Sequence, residues 1–91
     1  MRESILYAVR IKRSAEKELN RLSAEIHGHI SVRILDLESK PRPTDCKKLS
    51  GTGEYRIRLG DYRVLYTIDD KARVVEIVAV GHRGEVYRKQ K

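Results

Sequence analysis

Glu54-Tyr-Arg-Ile-Arg-Leu-Gly-Asp-Tyr-Arg-Val-Leu-Tyr-Thr-Ile68 is the stretch that decides how this chain folds. Tyr55, Ile57 and Leu59 alternate with Arg56 and Arg58 before Gly60-Asp61, and Tyr62, Val64, Tyr66 and Ile68 alternate with Arg63 and Leu65 after it. Two such runs joined by a Gly-containing pair read as a β-hairpin, because Gly supplies the positive φ of turns that match strand twist. Counting outward from a two-residue turn, Leu59 faces Tyr62, Arg58 faces Arg63, Ile57 faces Val64 and Arg56 faces Leu65. Arg56, Arg58 and Arg63 then share one face. Directly opposed like charges destabilise a sheet by up to about 1 kcal/mol. Edge strands do carry outward charges. The pairing geometry nevertheless favours a surface kept for an anion, and phosphate suits it because the guanidinium fork grips it bidentately.

At 91 residues the chain has room for one domain, read as residues 1–91, with one modest core. A chain of that size buries roughly 60–65% of its unfolded surface. Lys and Arg number 20 against 13 Asp and Glu, a formal charge of +7, which points to a polyanionic partner, nucleic acid or an acidic protein. The single Cys46 excludes an internal disulfide. Together with the absence of a signal-peptide pattern it fits a reducing, cytoplasmic location. Nothing approaches the length of a membrane span.

Ile5 to Ile11 reads as a strand with Tyr7, Val9 and Ile11 on one face. Ser14 is a plausible N-cap for a helix carrying Ala15, Leu19 and Leu22, and Ser23 caps a second one with Ile26, Ile30, Ile34 and Leu37 in a single apolar stripe. That helix is expected to stop before Pro41. Ser39 to Gly53, with Lys40, Arg42, Lys47 and Lys48 among its prolines and glycines, reads as a basic loop. After the hairpin, Asp69 to Ala72 make a turn, and Val74 to Val80 is a near-continuous β-branched run expected of a central strand covered on both faces. Glu85 to Lys91 is read as one helical turn or a loose tail. The fold expected is α+β: strand, helix, helix, strand, strand, strand, as a small, mostly antiparallel twisted sheet with the helical hairpin on one face. The arginines take the other.

A metal site is not expected, and no cofactor is. His27 and His29 stand two apart on a helix and point about 200° apart, and Asp69-Asp70 suits a turn. What remains is a cation cluster, Arg56, Arg58 and Arg63, joined by His82 and Arg83 at the end of the next strand and by Tyr87 shortly after. Such a cluster suits RNA cleavage. RNA carries its own nucleophile, the 2′-hydroxyl, so a protein need only align it with the adjacent phosphorus and neutralise the charge that develops. Arginines hold their protons too tightly to transfer them. The proton work then falls to His82 or to Tyr87, whose pKa clustered cations would lower. Each has an ordinary reading beside it: His82 as a capping or surface residue, Tyr87 as a packing tyrosine.

Lys48-Leu49-Ser50-Gly51, the hairpin Tyr55 to Tyr66, Val80-Gly81-His82-Arg83 and Glu85-Val86-Tyr87-Arg88 together resemble the RelE branch of the RelE/ParE toxin superfamily. The likeness covers nearly the whole chain. It implies a toxin of a type II toxin–antitoxin pair: an mRNA interferase, an endoribonuclease that needs no metal, enters the ribosomal A site beside 16S rRNA and cuts the mRNA to a 2′,3′-cyclic phosphate and a 5′-hydroxyl. By the same resemblance Arg56, Arg58, Arg63 and Arg83 clamp phosphate, Tyr87 is the C-terminal catalytic tyrosine, and Lys47, Lys48 and Arg88 contact RNA. The best-known member has lysines where this chain has Arg56 and Arg58. That departure keeps the clamp but removes a lysine base, so Tyr87 has first claim on the proton and His82 second. The resemblance also implies a RelB-like antitoxin that covers the site in a hetero-oligomer, an association the +7 charge would make fast and salt-sensitive. Two other readings compete: a ParE-like inhibitor of DNA gyrase without RNase activity, and a non-catalytic RNA- or ribosome-binding module.

Overall fold

In the computed structural model, which describes residues 6–82, Gly60 and Asp61 join β3 (Tyr55–Leu59) to β4 (Tyr62–Asp69), and Gly60 has φ +61°. Positive φ at the first central position alone is what a II′ turn requires. Arg58 pairs with Arg63, Ile57 with Val64 and Arg56 with Leu65, the register counted from the sequence. The remaining elements are β1 (Ala8–Ile11), α1 (Arg13–Asn20), α2 (Ala24–Asp36), β2 (Lys47–Lys48) and β5 (Val74–His82), and the sheet order is β1-β5-β4-β3-β2. All neighbours are antiparallel except β1 and β5, which run parallel with Ala8 beside Val74 and Ile11 beside Ile77. The α+β class is as expected. The two-residue β2, paired on β3, lies inside the stretch read as a loop.

Ser14 is not the cap of α1. The helix begins two residues earlier, after Lys12, whose N–H donates to the Ile77 carbonyl at 3.0 Å while its own carbonyl accepts from Glu16 at 2.9 Å. The strand therefore hands the chain straight to the helix, and tertiary pairing rather than a side chain sets the start. Ser23 does cap α2, its Oγ accepting from Ile26 N at 3.4 Å. Ala15 and Leu19 of α1 and Ile30, Ile34 and Leu37 along α2 pack on Ile57, Val64, Tyr66, Val75, Ile77 and Val80. Each fully buried aliphatic contributes about 1.5–3 kcal/mol relative to exposure. Tyr66, fully buried, donates its hydroxyl to the Pro41 carbonyl at 2.8 Å, and burial raises its pKa so that it stays a neutral donor.

β5 is internal to the sheet but unequally covered. Val75, Ile77 and Val80 enter the helix-side core, whereas among the described residues the opposite face holds a small cluster of Leu65 and Ala79 with Leu49 beside it. Among the described residues the β-branched run reflects an internal position in the sheet, with α1 and α2 on one side of it. Glu76, the one charged residue in the run, is half-buried and stands beside Arg10 of β1.

At the end of the sheet away from Gly60, Arg42 grips Asp70 through both terminal nitrogens, at 3.2 and 2.9 Å, and donates Nε to the Tyr55 hydroxyl at 3.1 Å. Tyr7 donates to the same carboxylate at 2.8 Å. The Arg42 and Tyr7 hydrogen bonds hold Asp70 below its ordinary pKa. A lowered folded-state pKa means stability that is present above the unfolded value, near 3.9 for Asp, and lost as pH falls through the folded value. Asp70→Asn is therefore expected to unfold at lower urea than the parent at pH 7 and to match it near pH 2; equal midpoints at pH 7 would show the clasp to be inert.

The β4–β5 turn ends on Arg73, the one described non-glycine residue at positive φ, 56°. A left-handed L-residue costs about 1–2 kcal/mol, partly offset in a glycine variant by the extra freedom of its unfolded chain. Arg73→Gly is expected to raise stability by roughly 0.5–1 kcal/mol. Thermal melts would read this as a rise of a few degrees, and a fall would overturn it.

Candidate functional site

The alternation that sends Tyr55, Ile57 and Leu59 into the core sends Arg56 and Arg58 to the face away from α1 and α2, and pairing brings Arg63 to the same face opposite Arg58. Arg58 is exposed and Arg56 half-buried. Arg63 is only 8% exposed. Its Nη1 donates to the Gly60 and Tyr62 carbonyls, both at 3.3 Å, which wraps the guanidinium against its own turn. Its Nε is buried with no hydrogen-bond partner. Among the described residues neither Arg58 nor Arg63 has a carboxylate partner. A buried guanidinium in that state is costly, and an anion on this face would offset the cost.

β2 adds Lys47 to this face, since it pairs with Arg56. Lys48 goes the other way. It pairs with Tyr55, and its Nζ lies 5.9 Å from the Tyr55 ring centroid, with Arg42 Cζ 5.2 Å from the same centroid. The two lysines, read from sequence as one RNA contact, are thus split between faces.

His82 is not brought to the arginines. β4–β5 pairing runs regularly from Asp69 with Val74 to Tyr66 with Ile77, then passes over Val78 to put Leu65 with Ala79 and Arg63 with Gly81. One extra residue on one strand reverses every side chain beyond it. Without that bulge residue 82 would share the arginine face; with it, Gly81 stands across from Arg63, placing no side chain beside the guanidinium. His82 instead pairs with Tyr62, ring centroids 5.7 Å apart and edge to face, on the helix side. Arg83, Tyr87 and Arg88 lie outside the described residues. Cys46 is free and half-buried, as an ordinary boundary residue is.

Sequence reasoning gave no sign of Glu18. β1 ends opposite Ile77, so among the described residues no strand covers the outer edge of β5 beyond it, and Glu18 Oε1 reaches from α1 to accept from Val80 N at 2.9 Å. A side chain there completes the sheet next to the Arg63–Gly81 pair. Only the helix-on-strand packing brings it there, so no spacing could have announced it.

A helical hairpin on one face of a small sheet and clustered arginines on the other define a class also met in other proteins, the toxins of type II toxin–antitoxin systems. The family described as "ParE toxin of type II toxin-antitoxin system, parDE" matches residues 9–87. Toxin RelG of Mycobacterium tuberculosis is 34% identical over 88 residues, spanning 91% of this chain and 98% of that protein. The toxin–antitoxin complex RelBE2 of the same organism superposes with TM-score 0.78 at 33% identity, over 87% of this chain and 100% of that one. The archaeal RelE–RelB complex of Pyrococcus horikoshii gives 0.78 at 36% identity, over 87% and 97% of the two chains. The isolated RelE toxin of E. coli gives 0.74 at 28%, over 91% and 93%. The chain belongs to the RelE/ParE toxin superfamily and is a toxin of a type II toxin–antitoxin system. No helix among the described residues is long and apolar enough to cross a membrane.

Proposed function

We propose that this toxin is a ribosome-dependent mRNA interferase that cleaves RNA in the A site by 2′-hydroxyl attack on the adjacent phosphate. The observation that carries the reading is the arginine face: Arg58 directly opposite Arg63, Arg63 buried and, among the described residues, without a carboxylate, and Arg56 beside them. Charge held in place at energetic cost is preorganised for an anion, and fixed donors of this kind do most to stabilise the negative charge that develops as a phosphate ester is cleaved. Arg56, Arg58 and Arg63, joined by Arg83, neutralise the phosphate; Tyr87 carries the proton; Lys47 and Arg88 steer the RNA backbone. His82, on the far side of the sheet, leaves Tyr87 the stronger claim. The domain is proposed to act as one unit over residues 1–91, and a RelB-like antitoxin, of the kind present in the superposed complexes, to cover this face.

One observation favours a second reading: the matching family is described as a ParE toxin, and a ParE-like gyrase inhibitor would share the fold. Primer extension on a defined mRNA in translating ribosomes separates the two. Cuts at A-site codons are expected. Growth arrest with intact mRNA and blocked DNA supercoiling would transfer the toxin to the gyrase class.

A further inference from the structure

On the helix side, α1 and the ends of β4 and β5 enclose a groove of about 320 Å³ whose walls include Glu18, Arg21, Leu22, Tyr62 and His82. Nothing in the cleavage chemistry uses it. Its position is the first reason to consider it: Tyr62–His82 is the strand pair next to Arg63–Gly81, one residue along the sheet, roughly 3.3 Å. The arginine face and the groove are therefore two sides of one rim, beside the Gly60-Asp61 tip. Its chemistry is the second. The edge-to-face Tyr62–His82 pair offers aromatic surface, His82 is exposed, and Arg21 places a cation on the opposite wall. Single-stranded RNA is held by this combination, bases stacked on aromatic or guanidinium planes. The carboxylate of Glu18 decides which part of a nucleotide belongs inside. Its negative charge, fixed beside β5 by the Val80 N–H, would repel a phosphate and so leaves a base as the part that enters.

We propose that this groove is a base-binding subsite, in which a nucleotide flanking the cleaved bond leaves the arginine face around the hairpin tip and stacks on His82 and Tyr62. The proposal rests on the interferase reading and gives His82 a substrate contact rather than a proton to carry. Those two roles separate on substitution, because phenylalanine stacks but cannot transfer a proton.

The test is single-turnover cleavage of a defined mRNA on programmed ribosomes at increasing toxin concentration, for wild type, His82→Ala and His82→Phe. Losing one stacked base is expected to raise the half-saturating concentration of the alanine variant at least about fivefold, with the phenylalanine variant within about twofold of wild type. An alanine variant equal to wild type overturns the subsite. So does a phenylalanine variant as impaired as alanine, which would put His82 into the chemistry. If wild type itself makes no cut, the interferase reading falls, and the subsite with it.

Discussion

Arg63→Ala is expected to erase the A-site cuts made by the parent protein, slowing cleavage roughly a hundred- to a thousandfold, the usual effect of removing one preorganised charge-stabilising donor. The side chain is the most buried of the three hairpin arginines. Two turn carbonyls hold it, burial keeps water away, and Gly81 opposite adds no bulk. Arg63→Lys keeps the charge but loses the fork, so an intermediate rate is expected. Stability should move little. The variant loses two hydrogen bonds to the turn but also loses a buried charge, and the two effects oppose each other. A melting curve beside the primer-extension lanes separates lost chemistry from lost fold. Cuts that persist at the parental rate in a folded Arg63→Ala protein would remove the hairpin from the active site.

Tyr87→Phe is the second large effect. Removing the one hydroxyl should slow the maximal cleavage rate about 10² to 10⁴-fold, the range typical of general acid–base catalysis, while leaving the half-saturating concentration close to the parent's. The prediction is sharper now that the other candidate proton carrier, His82, faces the helices. Parental rates in Tyr87→Phe would end the role assigned to it.

What the sequence made legible, and what it hid, follows from the range of the interactions involved. The β3–β4 register could be counted because Gly60-Asp61 fixes a two-residue turn and the pairing is local. The apolar stripes of both helices were equally plain, since Leu19, Ile30 and Ile34 repeat at helical spacing. The start of α1 was misplaced because a bond to Ile77, distant in sequence, sets it. β2 was hidden because two lysines carry no alternation and pair only through β3. The gravest loss came from one residue. Val78 sits in a mostly β-branched run, so nothing in its identity marks a bulge, yet it decides that Gly81 and not Val80 meets Arg63 and that His82 turns to the helix side. The arginines on the hairpin were readable as a cluster; the partners across β5 were not.

The parallel pairing of β1 with β5 bears on when the toxin comes into being. A chain leaves the ribosome N-terminus first, and the β3–β4 hairpin, closed over two residues, can form within microseconds of emerging. β1 has no such neighbour. Its partners, Val74 to Ile77, are made 66 residues after it, Val74 against Ala8, and Val75 and Ile77 supply part of the wall on which both helices rest. Gly81, across from Arg63, comes later still. Contacts of such long range are the slow ones to form. On the proposed function, a nascent chain has no finished weapon until β5 has been made: the ribosome that makes the toxin must translate past that strand before there is a folded arginine face to turn against it.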